Sequence, residues 1–543
     1  LAQLKTFKKL AGFAFGLGAS LVAIPVFATE SSLGENGINA LRLHEAPYNL
    51  IGRKIAIGQV EIGRPGLFGL DKAVARNPAI APFKVFFRNT IAKNNANVDL
   101  HAQQVAGVMI SSDKAFPGVA PGARLHSAAI GTLRRSGQPE ECLSAQHLAQ
   151  QNGGDLRAIN FSFGESLRQD PRPNALLDGN ALLTQCIDWS ARVHNVLYVI
   201  AGNQGKGGIS IPTDNYNGIN VAFTRLENGS FSKTDFANLG DPAAGTPGRI
   251  AGYESNVGPR RSIGLVAPGS KISLVNLDGT IGRASGTSFA APHVTATVAL
   301  LQEYGDGEIQ RSLSSVPNTT LPNWTLDARR HEVMKAVMFN SADKLKDRGN
   351  GLNLGMTRDI FDQSHRTWLA SEAFYDRKIP LDIQLGAGQL NAYRAYQQFS
   401  AGQWQPGSAV PAKGWDYNRV SVGDRPYQDY ILERPLQAGS MLSATLVWNR
   451  HVELNDANQN GEYDLGETFT DRGLNNLDLY LMPADSNNIQ DNIWSSVSEV
   501  DSTEHIFQRI PETGRYKIRV YFHQQANEPT QDYAIAWWSV PVQ

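Results

Sequence analysis

The chain has 543 residues, 41% of them apolar and 19% charged, which is more than one ordinary domain and enough to bury a large core. A formal net charge of -1 excludes a surface dedicated to nucleic acid or acidic lipid. Two cysteines, Cys142 and Cys186, are too few for a metal cluster, and whether they pair is left open.

Lys5, Lys8 and Lys9 precede an apolar run from Leu10 to Phe27 that ends Val26-Phe27-Ala28, a small-residue cleavage pattern. Residues 1–28 are therefore expected to form a removable signal peptide. Gly12, Gly16, Gly18 and Pro25 argue against a permanent anchor. No second long apolar span follows, so we expect an exported monomer, secreted or periplasmic, with no stable membrane insertion and no nucleic-acid partner. The short segment between Ala28 and Lys54 is expected to leave no room for a folding-assistant propeptide.

The first strand reads Lys54-Ile55-Ala56-Ile57-Gly58-Gln59-Val60-Glu61-Ile62-Gly63 and delivers one carboxylate, Glu61, near its end. Next comes His101-Ala102-Gln103-Gln104-Val105-Ala106-Gly107-Val108, followed by Gly118-Val119-Ala120-Pro121 and the strand-like Arg124 to Ala128. Arg135-Ser136-Gly137-Gln138 precedes a helix expected over 144–151, and Ile159 to Gly164 includes Ser162-Phe163-Gly164. A helix over 182–194 leads to an apolar strand over 196–200 and then Ala201-Gly202-Asn203-Gln204-Gly205. Gly286-Thr287-Ser288-Phe289-Ala290-Ala291-Pro292-His293-Val294 sets Ser288 at the start of an apolar helix running to about Leu301. Unpaired N–H groups and the helix dipole favour an anion there, and a tetrahedral acyl intermediate is one.

These motifs, in the order acid, histidine, serine, resemble those of the subtilisin-like serine proteases, and the likeness covers roughly residues 35–400. It extends through Gly264 to Gly269, Val333 to Ala342 and Gly386 to Ala392, with unread insertions around 170–180 and 305–375. The resemblance implies a parallel sheet with helices on both faces. It also implies that His101 is the base for Ser288 and that Asn203 donates to the oxyanion. The sequence departs from the family at Glu61, which stands where an aspartate is usual. Asp99 is a rival orienter two residues from His101, whereas Asp71 falls outside the matching strand. Ser136-Gly137 and Ser162-Phe163-Gly164 resemble two edge strands that bind an extended peptide through main-chain hydrogen bonds. Gln204 and Ser210, the expected pocket rim and floor, are neutral, which favours an apolar or medium-sized residue before the scissile bond.

Beyond the Pro- and Gly-containing stretch 403–415, read as a linker after a catalytic domain at 29–402, the pattern changes to short alternating strands. Leu442, Ala444, Leu446 and Trp448 share a face, as do Leu477, Leu479 and Leu481, and Ile518, Val520 and Phe522. A last strand is expected at Tyr533 to Trp538. Residues 416–543 thus resemble a small jelly-roll-like β-sandwich. Inside it, Asp456, Asn458, Asn460, Gly461, Glu462, Asp464 and Glu467 satisfy the twelve-residue calcium-loop pattern between strand-like flanks. One structural Ca²⁺ is the expected cofactor.

The expected function is secreted serine endopeptidase action on protein or peptide substrates through an acyl-enzyme, with Glu61, His101, Ser288 and Asn203 as its machinery. The alternatives are a catalytically silent binding or adhesion protein on the same fold, and a ligase or transpeptidase in which an amine takes the acyl group.

Overall fold

The central strands carry small and β-branched side chains and are buried on both faces, as a parallel sheet between helix layers requires. In chain order they are β1 (Ala56–Glu61), β2 (Lys84–Phe87), β3 (Arg124–Ala129), β4 (Leu156–Phe161), β5 (Leu197–Ala201), β6 (Ile219–Glu227), β7 (Ser230–Lys233) and β8 (Ile263–Pro268). The computed structural model describes residues 32–132, 137–202, 211–234, 260–314, 322 and 324–542. The expected signal peptide and Arg135, Ser136, Asn203, Gln204 and Ser210 lie outside the described residues.

Among the described residues these strands belong to a ten-stranded sheet with the order β7-β6-β5-β4-β1-β3-β2 and β8 beside β6. From β6 to β2 all neighbours are parallel, and β7 alone of this set turns back on β6. The chain leaves β1 for one side, through β2 and β3, and then crosses to build β4, β5 and β6 on the other. β1 is therefore a topological switch point, and the crevice at its carboxyl end is where such a sheet receives ligands.

The helices that matter for this crevice are α1 (Leu100–Ile110), α2 (Gln138–Ala149), α3 (Leu182–His194), α4 (Thr287–Ser314) and α5 (His331–Ser341). On one face Val105 and Met109 of α1 and Val294 and Val298 of α4 pack on Ile57 and Leu125. On the other, Ala145 and Leu148 of α2 and Ile187 of α3 pack on Val60, Ala128 and Ile159. Cys142 and Cys186 join α2 to α3 by a disulfide, the pairing that sequence left open. Ala290, Ala291, Ala296 and Ala299 are fully buried and let α4 lie close to the sheet. The helix expected over 144–151 begins six residues earlier, at Gln138. Pro139 and the acidic Glu140 and Glu141 in its first turn suit a helix start there.

The C-terminal part forms two facing sheets. One contains β9 (Lys413–Ser421), β11 (Met441–Trp448), β15 (Thr503–Arg509) and β17 (Thr530–Trp538). The other contains β10 (Tyr427–Leu432), β14 (Asn476–Pro483) and β16 (Tyr516–Gln524), with shorter strands at its edges. Leu442, Leu446, Trp448, Leu477, Leu481, Ile518, Val520 and Trp537 share the core between them. A separate hairpin, β12 (His451–Asn455) with β13 (Thr468–Gly473), leaves this sandwich.

The sandwich is not a loosely tethered appendage. Residues 403–415, read as a linker, contain the strand Ala409–Val410 and the start of β9, and Trp415 is buried in the same core as α5. Val447, Ala534 and Ala536, on the outer face of one sheet, belong to that core as well. Ser443 and Thr445 donate to the side-chain oxygen of Asn340 on α5 at 2.8 and 3.1 Å. This is why β11 is buried at all eight positions although its sequence suggested one covered face.

Candidate active site

Glu61 ends β1, and two residues later Gly63 allows the chain to pass under the start of α1. A Cβ on Gly63 would lie 2.2 Å from Asp99 Cβ. Asp99 is the N-cap of α1, its Oδ1 accepting from the Ala102 N–H at 2.9 Å. The rival acid is thus occupied with starting the helix. His101 sits in the first turn, and its Nδ1 is 3.4 Å from Glu61 Oε2. The acid side chain is 3% exposed and the imidazole 40%, so the carboxylate is shielded while the ring remains open to a substrate. Asp71 lies elsewhere, paired through both oxygens with Arg64.

Burial raises the Glu61 pKa, while its hydrogen bond and attraction to His101 oppose that rise. For His101, burial alone would lower the pKa. The hydrogen bond and charge of Glu61, joined by Asp99, more than reverse this and raise it. The extra methylene of a glutamate is thus accommodated: its carboxylate faces His101 Nδ1, and the other ring nitrogen, Nε2, is not part of this contact.

Ser288 lies in the first turn of α4. The turn before it is made by Gly286, at φ +153°, whose N–H donates to Gly269 O at 2.8 Å. Thr287 Oγ1 donates to Gly202 O at 2.7 Å, which ties the serine segment to the end of β5, one residue before Asn203. The imidazole of His101 lies edge-on to Phe289, the residue after Ser288, with ring centroids 5.6 Å apart.

Pro292 is inside α4 and has no N–H to offer the carbonyl of Ser288 four residues back. That carbonyl accepts from Ser162 Oγ at 2.9 Å instead. In return, Ser288 Oγ donates to Ser162 O at 3.1 Å. The two serines thereby lock the start of α4 to the end of β4. Phe163, 9% exposed, stacks on Phe161 with centroids 5.3 Å apart. The Gly137 N–H, on the opposite edge, donates to the carboxylate of Glu165, so one side chain bridges the two edges expected to hold a peptide.

Sequence reading missed Glu165, Gln59 and Asn160. Gln59 and Asn160 are fully buried polar residues in otherwise apolar strands, and that interruption is the signal that could have marked them.

The calcium-pattern loop lies between β12 and β13, exposed at Asn458 and Leu465 but anchored at Tyr463, which is buried against α2 and α3. Gly461 has φ +77°. Asp456 accepts from the Asn460 and Gly461 N–H groups at 3.2 and 2.7 Å, and Glu467 from those of Ala457 and Asp464 at 2.8 and 2.9 Å. Asn458 and Asn460 both turn their amide nitrogens to Asp464 Oδ2 at 2.8 Å. Among the described residues, no three Asp, Glu, His or Cys side chains are gathered as a ready-made metal shell. Nor is any described helix long and apolar enough to cross a membrane.

Several known proteases are similar to this chain in sequence. Subtilisin Savinase of Lederbergia lenta is 29% identical over 206 residues, 37% of this chain and 63% of that protein. An alkaline protease of Alkalihalobacillus alcalophilus is 29% identical over 206 residues, 37% of this chain and 44% of its own length. The chain thus spans less than two thirds of these relatives. Among solved structures the likeness is weaker: a cold-adapted subtilisin-like serine proteinase aligns at 19% identity with a TM-score of 0.36, over 57% of this chain and 89% of that one. The model of the subtilase family matches residues 78–356, more than half of the chain, and that span contains His101, Ser162, Asn203 and Ser288 but not Glu61. The chain belongs to the subtilase family.

Proposed function

We propose that the protein is a serine endopeptidase in which Glu61, His101 and Ser288 form the catalytic triad. The observation that carries this reading is the 3.4 Å contact between the buried Glu61 carboxylate and His101 Nδ1, on a ring that touches the residue next to Ser288. Substrate binding draws Ser288 Oγ from the Ser162 carbonyl toward His101 Nε2, which takes its proton as the oxygen attacks the scissile carbonyl. The Ser288 N–H and the Asn203 amide hold the oxyanion; one such donor is worth about 3 to 4 kcal/mol of transition-state stabilisation. Glu61 stabilises the imidazolium, which protonates the leaving amine, and water then releases the acyl group. Glu61, whose departure from the family pattern would favour a catalytically silent protein, lies 3.4 Å from the ring, which supports the enzyme reading over that alternative.

Ser136-Gly137 and Ser162-Phe163-Gly164 flank the extended substrate. The protein acts outside the cytoplasm, as a monomer, after loss of residues 1–28. Residues 29–402 carry the chemistry, and 416–543 support them through the shared core around α5. The loop holds one structural Ca²⁺ through oxygens of Asp456, Asn458, Asn460, Asp464 and Glu467 and the Glu462 carbonyl, a hard-donor set suited to that ion. In the metal-bound loop the Asn458 and Asn460 amides turn their oxygens inward.

The test is labelling by a fluorophosphonate together with cleavage of a denatured protein. Both should be present in the native protein and absent from Ser288→Ala. Full labelling of Ser288→Ala, or an unlabelled native protein, rejects the assignment.

A further inference from the structure

Beneath α1 the central strands carry a row of polar side chains that the mechanism above leaves unused. Gln59 on β1 is in register with Ser127 on β3 and with Asn160 on β4. Residues in register on parallel strands share a face, and Glu61, two positions on, shares it too. Gln59 Nε2 donates to Ala102 O at 2.9 Å, which places this face under α1 next to His101.

The other atoms of the row are left over. Gln59 Oε1, Ser127 Oγ and Glu61 Oε1 are all buried without a hydrogen-bond partner. Their residues are 0%, 0% and 2% exposed. Asn160 is directed elsewhere: its amide nitrogen donates to Ser162 Oγ at 2.8 Å and its oxygen accepts from Thr295 at 3.3 Å. Ala129, the β3 partner of Glu61, offers only a methyl group. Two of the three orphaned atoms are acceptors and cannot satisfy each other. Buried polar atoms of this kind are ordinarily held by internal water, which needs two to four polar partners.

We infer that one internal water is bound between Ser127, Gln59 and Glu61, and that Gln59 and Ser127 are positioning residues for the catalytic acid. The Ser127 hydroxyl donates to this water, whose two protons go to Gln59 Oε1 and Glu61 Oε1. All three orphaned atoms are then satisfied. Glu61 receives a donor on each oxygen, His101 on one and the water on the other, and keeps its charge in a site where burial favours the neutral acid. Gln59 acts twice, on the acid through the water and on the His101 turn through Ala102 O. This inference rests on the triad proposed above.

The test compares Ser127→Val, whose extra methyl occupies the water position, and Gln59→Met, which keeps length but not polarity, with Glu61→Gln. For each, kcat and KM are measured across pH, normalised to fluorophosphonate-titrated sites, beside thermal unfolding. Ser127→Val and Gln59→Met should each lower kcat about tenfold, a part of the roughly 10² to 10⁴ that a general base contributes, with KM within twofold. Their acid limb should move to higher pH, because a carboxylate without its second donor accepts a proton more readily. The limb of Glu61→Gln should move the other way. Lowered unfolding temperatures with an unchanged kcat profile would assign the row a structural role only and overturn the inference. Unchanged kcat in Glu61→Gln would sink the triad reading and this one together. Should the variants not fold, a high-resolution crystal structure of the native protein decides: an ordered water bonded to all three atoms supports the inference, and a dry site rejects it.

Discussion

Tyr463 on the C-terminal hairpin and Gln146 on α2 hold each other by both main-chain groups of the tyrosine: its N–H donates to Gln146 Oε1, and Gln146 Nε2 donates to its carbonyl at 3.3 Å. The tyrosine ring stacks on Phe469 at 5.5 Å, and Phe469 in turn meets Trp189 of α3. The loop proposed to hold calcium is therefore stitched to the two helices that the disulfide joins, and α2 begins at the Gly137 edge of the cleft.

Chelation of calcium should lower the unfolding temperature by several degrees and open residues 456–467 to proteolysis. With free calcium at a hundred times its dissociation constant, about 2.7 kcal/mol of stability is at stake. Differential scanning calorimetry with and without chelator measures it. An identical transition in both would remove calcium from the account of this loop.

Glu61→Gln should reduce kcat about 10³- to 10⁴-fold with little change in KM, since it keeps the shape and loses the charge that stabilises the imidazolium. Gly63→Ala tests the same contact from a distance. Its Cβ would lie 2.2 Å from Asp99 Cβ and force the helix cap away from β1, so kcat should fall by at least about tenfold. Steady-state kinetics on a peptide substrate reads both.

In the proposed mechanism activity requires neutral His101, whose pKa Glu61 holds above the ordinary 6.5. Turnover should therefore fall with acid through an apparent pKa above 6.5, and Glu61→Gln should bring that value down. In stability the same pair acts in the opposite sense to activity. Its contribution is complete below 6.5, where the unfolded histidine is also protonated, and is lost as pH rises through the raised value. His293 behaves differently: burial lowers its pKa to about 4, and its neutral ring donates from Nδ1 to Phe289 O and accepts at Nε2 from Ser32 Oγ. Between pH 6.5 and 4 the unfolded chain binds a proton that the folded one refuses. Stability should drop by about 3 kcal/mol over that range, and His293→Gln should flatten the drop in denaturant titrations.

Replacing Cys142 and Cys186 together by alanine should cost about 4 kcal/mol through the freedom regained by the 44-residue loop in the unfolded chain. Thermal unfolding of the double variant against the native protein gives the figure. Catalysis at a temperature well below the transition should change little, since neither sulfur touches the crevice residues Glu61, His101 or Ser288.

Local pattern made much of this fold legible. The helix expected over 182–194 is found with those bounds, because its apolar spacing and a left-handed Asn195 at its end are both local signals. The run around Ser288 announced a helix start, since a glycine turn followed by small apolar residues has few other outcomes. Less visible were the elements whose partners lie far away in sequence: the length of α4 to Ser314, the burial of both faces of β11, and the merging of residues 403–415 into the catalytic core.

By itself the sequence marked the candidate residues for the chemistry and determined their order along the chain and the alternation of strand and helix, all of which depend on neighbours a few residues apart. Only the tertiary structure decided that Glu61 meets His101 while Asp99 caps a helix and Asp71 pairs with Arg64. It also decided that Cys142 meets Cys186 and that the sandwich seals onto α5. The reason is that carboxylates are alike in one dimension. What separates them is the distance and burial imposed by strands that cross the sheet at β1, and those are properties of packing.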